Sequence, residues 1–227
     1  MVDLEKWDLS ALKDQFGSHK IIKHIVLDDF LDERKARSLA NEHKNIKEDL
    51  WLDYSHRNQK KTGITNKYLM GSNTRLLLEE ISSQPFLDWL QKLTGAKNLI
   101  PDPDLDRAGL HRIKKGGYLN VHVDEESHIK YKYWKRRLNL LFYISPDYQE
   151  NWGGNLEFWE SKRKKIELGG SRTKRKIDSI EPIFNRCVIF LTDDKSYHGH
   201  PAPLNCPADS ARRSIAAYYY QVLKIYK

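Results

Sequence analysis

Two histidines and one aspartate in this chain have residue types and a spacing that suit a metal ion. His122 and Asp124 are separated by one residue at the end of a β-rich run, YLNVHV (118–123). Residues i and i+2 of a strand point to the same face, so this imidazole and this carboxylate project together. His198 comes much later and follows a second apolar run, RCVIFL (186–191). Three such ligands on one side of a metal leave its other coordination positions open, and we predict a site of that kind.

The third ligand has a rival two residues further on. In His198-Gly199-His200 both imidazoles would face one side if the strand continued, but Gly199 and Pro201 indicate that it ends, which favours His198. The open set of two histidines and one carboxylate is the pattern of non-haem Fe(II) oxygenases. Zinc is more often closed by four ligands, or held by three ligands and a water.

The remaining histidines receive plainer interpretations. Loop or surface positions flanking the site are expected for His111 and His128. Ordinary polar roles are expected for His19, His24, His43 and His56.

A second group of residues could bind an anion. Arg212, Arg213 and Ser214 open the last β-rich run, and alternation turns Arg212 and Ser214 one way and Arg213 the other. A guanidinium matches a carboxylate with two parallel hydrogen bonds, and a hydroxyl two residues on adds a third. Tyr143, near the end of another β-rich run, could offer its phenol to the same carboxylate. Taken alone, the two arginines fit a basic strand start at the surface better.

The elements that must position these residues fall into two parts. In the first hundred residues the pattern predicts mainly helices with one early strand. The expected strand is Ile21–Leu27, and the expected helices are Asp32 (N-cap) to about Lys44, Thr74–Ser82, and Phe86–Leu93 ended by Gly95.

From about Gly109 the apolar period becomes two. Short β-rich runs separated by turn signals cover Tyr118–Val123, Leu138–Ile144, Asn155–Trp159, Arg186–Leu191 and Ser214–Leu223. This order predicts an α+β fold, a β-sandwich or jelly roll with the N-terminal helices packed on one sheet. The absence of βαβ alternation and of a Gly-rich phosphate loop argues against a nucleotide-binding α/β fold.

Composition narrows the class of protein. With 227 residues, one domain is the default. No apolar run of about 18 residues occurs, so no membrane span is expected, and the mixed-charge N-terminus has no apolar core of a secretion signal. Two cysteines, Cys187 and Cys206, make no disulfide framework, and we expect a reducing, cytoplasmic setting.

The net charge of +8 is concentrated in one segment. Residues 161–176, SKRKKIELGGSRTKRK, hold eight Lys and Arg and one Glu. A solvated hairpin loop is the favoured interpretation. Binding of nucleic acid, a phosphorylated substrate or an acidic partner is the alternative, and it is less favoured for nucleic acid because no aromatic residue interleaves the charges.

Taken in order, the HxD pair, the distal histidine and the RxS pair resemble the Fe(II)/2-oxoglutarate-dependent dioxygenases, in particular the prolyl-4-hydroxylase-like branch. The resemblance covers about Gly109–Leu223. It is carried by GGYLNVHVDEE (116–126), RRLNLLFYISPDY (136–148), WGGNLEFW (152–159), IEPIFNRCVIFLTDDKSYHGHPAPL (180–204) and RRSIAAYYY (212–220). It implies a double-stranded β-helix (jelly-roll, cupin-like) core at 106–227, supported by a mainly helical region at 1–105, in a single domain 1–227.

The resemblance also implies roles for individual residues. The matches to the iron ligands are His122, Asp124 and His198. The matches to the 2-oxoglutarate contacts are Arg212 for the far carboxylate, Tyr143 and Ser214 for hydrogen bonds to it, and Asn139, which faces the same way as Tyr143. The implied cofactors are Fe(II), 2-oxoglutarate and O₂, with ascorbate as a candidate reductant.

The implied reaction is hydroxylation of a substrate C–H bond, with release of succinate and CO₂. A prolyl residue in a protein or peptide is the leading substrate, entering over the strand ends nearest His122, between residues 56–73 and 125–134. The alternatives are a small molecule, such as a free amino acid or a sugar-nucleotide, and a non-catalytic cupin-like module that binds metal or nucleic acid. A nucleic-acid demethylase is a further, less favoured alternative.

Overall fold

Two antiparallel sheets, four α-helices and three short 3₁₀ helices form the described part of the chain, which is residues 2–162 and 173–222 of the computed structural model. The helices are α1 (Leu9–Ser18), α2 (Glu33–Lys44), α3 (Ser72–Ile81) and α4 (Gln84–Thr94). The strands are β1 (His24–Leu27), β2 (Leu52–Asp53), β3 (Gln59–Lys60), β4 (Thr62–Ile64), β5 (Leu99–Pro101), β6 (Gly109–Ile113), β7 (Tyr118–His122), β8 (Trp134–Tyr143), β9 (Leu156–Lys162), β10 (Thr173–Ile180), β11 (Cys187–Leu191), β12 (Tyr197–His200) and β13 (Arg212–Val222). The prediction of a solvated hairpin at 161–176 falls mostly outside the described residues, as does Leu223.

The helices begin and end at residues that satisfy their free backbone groups. Asp32 caps α2 as expected, and Gly95 ends α4 with a left-handed φ of 75°. Helix α1 was not expected from the sequence, yet Asp8 caps it by accepting a hydrogen bond from the backbone of Ser10 at 2.8 Å. Within the two described ranges, no helix combines the length and apolar character needed to cross a membrane.

The larger sheet carries the helices on one face. Its strand order is β1-β11-β8-β13-β6-β4-β2, with β5 paired to the far end of β13. One apolar core joins the two layers and contains Phe16, Leu39, Leu77, Phe86 and Leu90 from the helices and Leu140, Phe142, Ile215 and Tyr219 from the sheet. The predicted packing of N-terminal helices on one sheet is therefore confirmed.

The smaller sheet covers the other face of the larger one. Its order is β10-β9-β12-β7-β3. Between the sheets, Tyr143 and Phe190 from the larger sheet pack with Leu156 and Phe158 from the smaller one. The predicted α+β jelly roll is confirmed, and its interior opens beside β7 and β12.

The first hundred residues contribute more strand than the sequence indicates. Strand β1 forms one edge of the larger sheet, β2 and β4 extend the other, β5 pairs β13 and β3 joins the smaller sheet. The segment 52–64 is polar and lacks apolar alternation. Its strands are held mainly by backbone pairing and bury little surface, so no apolar pattern in the sequence indicates them. The region is mainly helical as expected, but the expectation of a single strand is wrong for this reason.

Candidate active site

The three predicted metal ligands converge where the sandwich opens. His122, the last residue of β7, is the direct cross-strand partner of His198 on β12, and Asp124 lies two residues beyond β7. The Nε2 atom of His122 is 3.4 Å from Asp124 Oδ1, and that of His198 is 3.6 Å from Asp124 Oδ2. One ligand atom from each residue lies within 4.8 Å of the others. Two imidazoles and one carboxylate in this arrangement suit a divalent transition metal with open positions.

Backbone carbonyls fix which nitrogen of each ring is free. The Nδ1 atoms of His122 and His198 lie 2.9 Å from the carbonyl oxygens of Asn120 and Ser196, respectively. A carbonyl oxygen only accepts, so each Nδ1 carries the hydrogen and each Nε2 presents its lone pair toward Asp124. Burial lowers the pKa of His198 to about 4 although the Asp124 charge opposes this. The ring is therefore neutral at pH 7 and ready to act as a ligand.

Asp124 is held in its ionised form by two side chains of β8. The Asn139 amide donates to Asp124 Oδ2 at 2.6 Å, and Arg136 Nη1 lies 3.2 Å from the same oxygen. Burial by itself would raise the pKa of Asp124, but the neighbouring His198, His122 and Arg136 side chains hold it well below its usual range. Asn139 therefore contacts the predicted metal ligand directly, while its buried Oδ1 has no hydrogen-bond partner among the described residues.

A β-bulge brings Arg136 to this position. The pairing of β13 with β8 shifts between Tyr219, opposite Leu138, and Tyr220, opposite Arg136, which leaves Arg137 as an extra residue. Strict alternation would put Arg136 and Asn139 on opposite faces, and the extra residue returns Arg136 to the face of Asn139. The sequence contains the arginine but no local signal for the bulge.

The predicted anion-binding residues lie at the deeper end of the site. Arg212 donates from Nε to the Gly154 carbonyl at 2.7 Å and from Nη2 to the Tyr143 hydroxyl at 3.2 Å. Its Nη1 has no hydrogen-bond partner among the described residues. Ser214 is the cross-strand partner of Tyr143, and Arg213 points the other way to Asp147, 3.3 Å from its Nη1.

A glycine lets the backbone approach Arg212 closely. Gly154 has a φ of 79°, and a Cβ placed there would lie 2.7 Å from Leu204 Cδ1 and 3.0 Å from Arg212 Cδ. A larger residue would therefore displace the guanidinium and strain the turn. This requirement explains the second glycine of the WGGN segment.

A cavity of about 520 Å³ connects the two groups. It is lined by the three predicted ligands and by Arg212, Ser214 and Asn139. Tyr143 is fully buried behind this lining and reaches the site through its bond to Arg212. Six of the seven predicted site residues thus border one space, and the seventh supports it.

Lys61, which the sequence does not mark as a site residue, lies between β3 and β4 and lines the cavity. Burial lowers the pKa of its ammonium to about 8, with Asp124 opposing, so it stays mainly charged at pH 7. Its Nζ has no hydrogen-bond or ion-pair partner among the residues described. Nothing in the polar segment around Lys61 marks it as a cavity residue.

His200 also lines the cavity, because strand β12 continues through it. The expectation that Gly199 and Pro201 end the strand before His200 is wrong. His198 and His200 are two residues apart on β12, so both rings lie on the cavity side. The pairing with β7 shifts between them, and His198 is the one that contacts Asp124. Both ring nitrogens of His200 are buried, and neither has a hydrogen-bond partner in residues 2–162 and 173–222.

Two histidines expected in loop or surface positions are buried. His111 lies on β6, where Nε2 is 3.0 Å from the Arg107 carbonyl, and it borders the cavity. His128 lies in a loop but is 2 % exposed, and its Nε2 donates to Asp102 at 3.1 Å. Their hydrogen bonds come from distant segments, which the local sequence does not reveal.

Comparison with known proteins agrees with this geometry. Residues 108–220 match the family model described as the 2OG-Fe(II) oxygenase superfamily. A search of curated protein sequences gives no match.

Solved structures with a similar fold include two prolyl hydroxylases and HygX. A Pseudomonas putida prolyl-4-hydroxylase has a TM-score of 0.62 at 15 % identity, over 94 % of this chain and 98 % of that one. A Trichoplax adhaerens prolyl hydroxylase in complex with a hypoxia inducible factor peptide fragment gives 0.58 at 14 %, over 94 % and 89 %. HygX from Streptomyces hygroscopicus, with nickel, 2-oxoglutarate and hygromycin B bound, gives 0.57 at 13 %, over 92 % and 86 %. At these identities the likeness is one of fold.

Proposed function

We propose, from the premise that the chain belongs to the 2OG-Fe(II) oxygenase superfamily, that it hydroxylates a C–H bond of its substrate while 2-oxoglutarate is converted to succinate and CO₂. The observation that carries this proposal is the convergence of His122, Asp124 and His198 beside Arg212 in one cavity. A binding module without turnover would not need an anion site facing an open metal face.

The residues present fit both cofactors. Two Nε2 lone pairs and one ionised carboxylate suit Fe(II) and leave positions for other ligands. The free Nη1 of Arg212 and the hydroxyl of Ser214 border the cavity, where they suit the far carboxylate of 2-oxoglutarate. The buried orphan atoms Asn139 Oδ1 and His200 Nε2 offer further polar contacts to a bound ligand.

The protein's part in the reaction is to bind and orient. When bound, the iron and 2-oxoglutarate together supply the oxidative chemistry with O₂. Asn139 and Arg136 fix the carboxylate of Asp124, and the Asn120 and Ser196 carbonyls fix the rings of His122 and His198. Tyr143 and the Gly154 carbonyl hold Arg212 in place before the co-substrate arrives, so little rearrangement is needed on binding.

A histidine substitution tests the reaction class. His122→Ala should abolish iron-dependent formation of succinate from 2-oxoglutarate while the circular dichroism spectrum stays that of the folded protein. The matched control His19→Ala changes a histidine that does not line the cavity and should retain turnover. Iron-dependent succinate formation by folded His122→Ala would contradict the proposal.

A prolyl residue in a protein or peptide is the proposed substrate. The fold likeness to prolyl hydroxylases supports it, and the cavity opens between residues 54–61 and the segment after Asp124. A panel of proline-containing peptides, free amino acids and sugar-nucleotides, each assayed for stimulated 2-oxoglutarate decarboxylation with Fe(II) and ascorbate, decides the class. Stimulation by the small molecules alone would overturn the prolyl assignment.

A small anionic substrate is the second candidate, and Lys61 is the observation that favours it. Arg107 is paired with Glu125 at 3.1 Å and Arg136 with Asp124, whereas Lys61 has no such partner among the described residues. A half-buried cation without an ion-pair partner is costly, and a carboxylate or phosphate on the substrate would compensate it.

Neutralising this lysine separates substrate from co-substrate binding. Lys61→Met should raise the substrate KM by about tenfold or more, the worth of one charge-assisted hydrogen bond, and leave the KM for 2-oxoglutarate unchanged. The control Lys60→Met removes an exposed neighbouring charge and should change neither constant. An effect of Lys61→Met on 2-oxoglutarate alone would assign the lysine to the co-substrate.

A reducing compartment suits the protein. Cys187 and Cys206 are both buried, unpaired thiols. We place the protein in the cytoplasm on this ground, with ascorbate as the reductant that sustains turnover. Omitting ascorbate from the assay tests the second point, since turnover should then decline faster.

A further inference from the structure

A second group of two histidines and one carboxylate lies outside the cavity, where the edges of the two sheets meet. His24 is on β1, the edge of the larger sheet, Asp178 is on β10, the edge of the smaller sheet, and His19 directly follows α1. The Nε2 atom of His24 is 3.1 Å from Asp178 Oδ2, and the rings of His19 and His24 are 3.6 Å apart between centroids. One ligand atom from each residue lies within 4.8 Å of the others.

The hydrogen bonds of His24 leave a lone pair facing the carboxylate. Its Nδ1 is 2.9 Å from the Ile22 carbonyl oxygen, which only accepts, so Nδ1 carries the hydrogen. In the neutral ring, Nε2 therefore carries no hydrogen. Nε2 and Asp178 Oδ2 are then two hydrogen-bond acceptors that face each other with no hydrogen between them. Such a contact is favourable only when a cation lies between them or a second proton charges the ring.

The surroundings of His24 oppose the second proton. The residue is 4 % exposed, and its ring packs on Phe158 with 4.6 Å between centroids. A metal ion bound by both Nε2 of His24 and Oδ2 of Asp178 would make this contact favourable while the buried ring stays neutral.

The same geometry occurs at the candidate iron site. His122 and His198 each hold Nδ1 2.9 Å from the carbonyl oxygen two residues earlier, as His24 does with Ile22. This bond aims Nε2 at a metal and makes it a better ligand. On the other side, the pairing of β10 with β9 shifts between Lys176 and Asp178, and Asp178 follows the resulting irregularity in the strand.

We propose that His19, His24 and Asp178 form a second metal site, with Zn²⁺ as its ion. Two imidazoles, one carboxylate and a water make the four-coordinate set that zinc prefers. His24 and Asp178 already stand at the separation of two ligands of one ion, and the half-buried His19 completes the set by rotating its side chain. The ion joins the end of α1 to both sheets and closes the open edge of the sandwich.

A metal titration in a variant without the iron ligands tests the proposal. The double variant His122→Ala/His198→Ala, stripped of metal, should bind one equivalent of Zn²⁺, and the unmodified chain should bind two. Adding Asp178→Asn should lower the zinc affinity of the remaining site by about 100-fold. The control Asp28→Asn removes a carboxylate paired with Arg186 near the end of β1 and should leave the affinity unchanged.

Two further readouts separate a metal site from a structural ion pair. Co²⁺ in the double variant should give the visible absorption of a four-coordinate site, and His24→Gln should abolish it. Zinc should raise the Tm of the double variant and not that of its Asp178→Asn derivative. No bound zinc in the double variant, or equal affinity after Asp178→Asn, would overturn the proposal and leave His24 and Asp178 as an ion pair. Because the iron ligands are absent throughout, neither result depends on the oxygenase activity.

Discussion

The role of a single polar residue in this protein depends on which of its atoms are not already hydrogen-bonded to neighbouring residues. Arg212 and Arg213 are adjacent, yet strand alternation sends Arg212 to the cavity and Arg213 to Asp147 on the other face. Arg212 donates from Nε to the Gly154 carbonyl and from Nη2 to the Tyr143 hydroxyl, so its Nη1 is the donor available to a ligand. The pair therefore provides a matched comparison of the same residue type in two environments.

Arg212→Met should weaken 2-oxoglutarate binding by about 30-fold or more, since losing one partner of a buried charge pair costs about 2 kcal/mol or more. Arg213→Met should leave that affinity unchanged, even if it lowers stability. Titration of 2-oxoglutarate into the Ni²⁺-loaded protein measures both. Equal affinities for the two variants would contradict the assignment of the co-substrate carboxylate to Arg212.

At the scale of elements, a side chain of one helix caps the N-terminus of another. Helix α3 begins after Gly71, which has no side chain to cap it. Glu42 of α2 takes that role: its carboxylate accepts from the backbone of Asn73 at 2.8 Å and of Thr74 at 2.9 Å. Burial opposes ionisation of Glu42, but these hydrogen bonds outweigh it and lower its pKa. The contact fixes α3 against α2 on the back of the larger sheet.

Glu42→Gln should destabilise the protein by about 1–3 kcal/mol at pH 7, the range for hydrogen bonds to a charged group. Because the pKa of Glu42 is lowered on folding, its contribution is present above the ordinary carboxyl pKa and fades as the pH falls below it. Urea unfolding at pH 7 and pH 4 should therefore give a smaller difference from the unmodified chain at pH 4. Glu33→Gln, in the same helix and exposed, is the control and should cost about 0.5 kcal/mol or less. A difference for Glu42→Gln that does not shrink on acidification would contradict this role.

The whole molecule buries several neutral imidazoles. His43 of α2 faces the larger sheet, where its Nε2 is bonded to the His111 carbonyl at 3.2 Å, and its Nδ1 has no hydrogen-bond partner in the described part of the chain. Burial, with a further effect of the Arg213 charge, lowers the pKa of His43 from 6.5 to about 3. His111 and His200 are shifted in the same direction by burial. The unfolded chain therefore binds more protons than the folded one in mild acid, and stability should fall as the pH drops below about 6.5.

His43→Phe keeps an aromatic ring beside Trp51 and removes one of the imidazoles that bind a proton when the chain unfolds in mild acid. The slope of unfolding free energy against pH between about pH 4 and 6 should decrease by up to about 1.4 kcal/mol per pH unit. Above about pH 7.5 the two curves should run parallel, which serves as the internal control. Urea unfolding across this range measures both parts, and an unchanged slope in acid would show that His43 is not neutral in the fold.

The sequence alone determined the parts of the site that depend on local pattern. The residue types of the HxD pair, the alternation that separates Arg212 from Arg213, the cap at Asp32 and the α+β jelly roll all follow from period, propensity and spacing. The family also follows from motifs read in order along the chain. These features were predictable because a strand or helix imposes its own geometry over a few residues.

Only the tertiary structure decided which distant residues meet. The bulge at Arg137 that turns Arg136 to Asp124, the entry of Lys61 into the cavity, and the meeting of His24 with Asp178 depend on register and on pairing between separate strands. One extra residue in a strand reverses the face of every side chain beyond it. A short-range sequence pattern does not predict where such a residue falls, because the strand register is set by the packing of the whole sandwich.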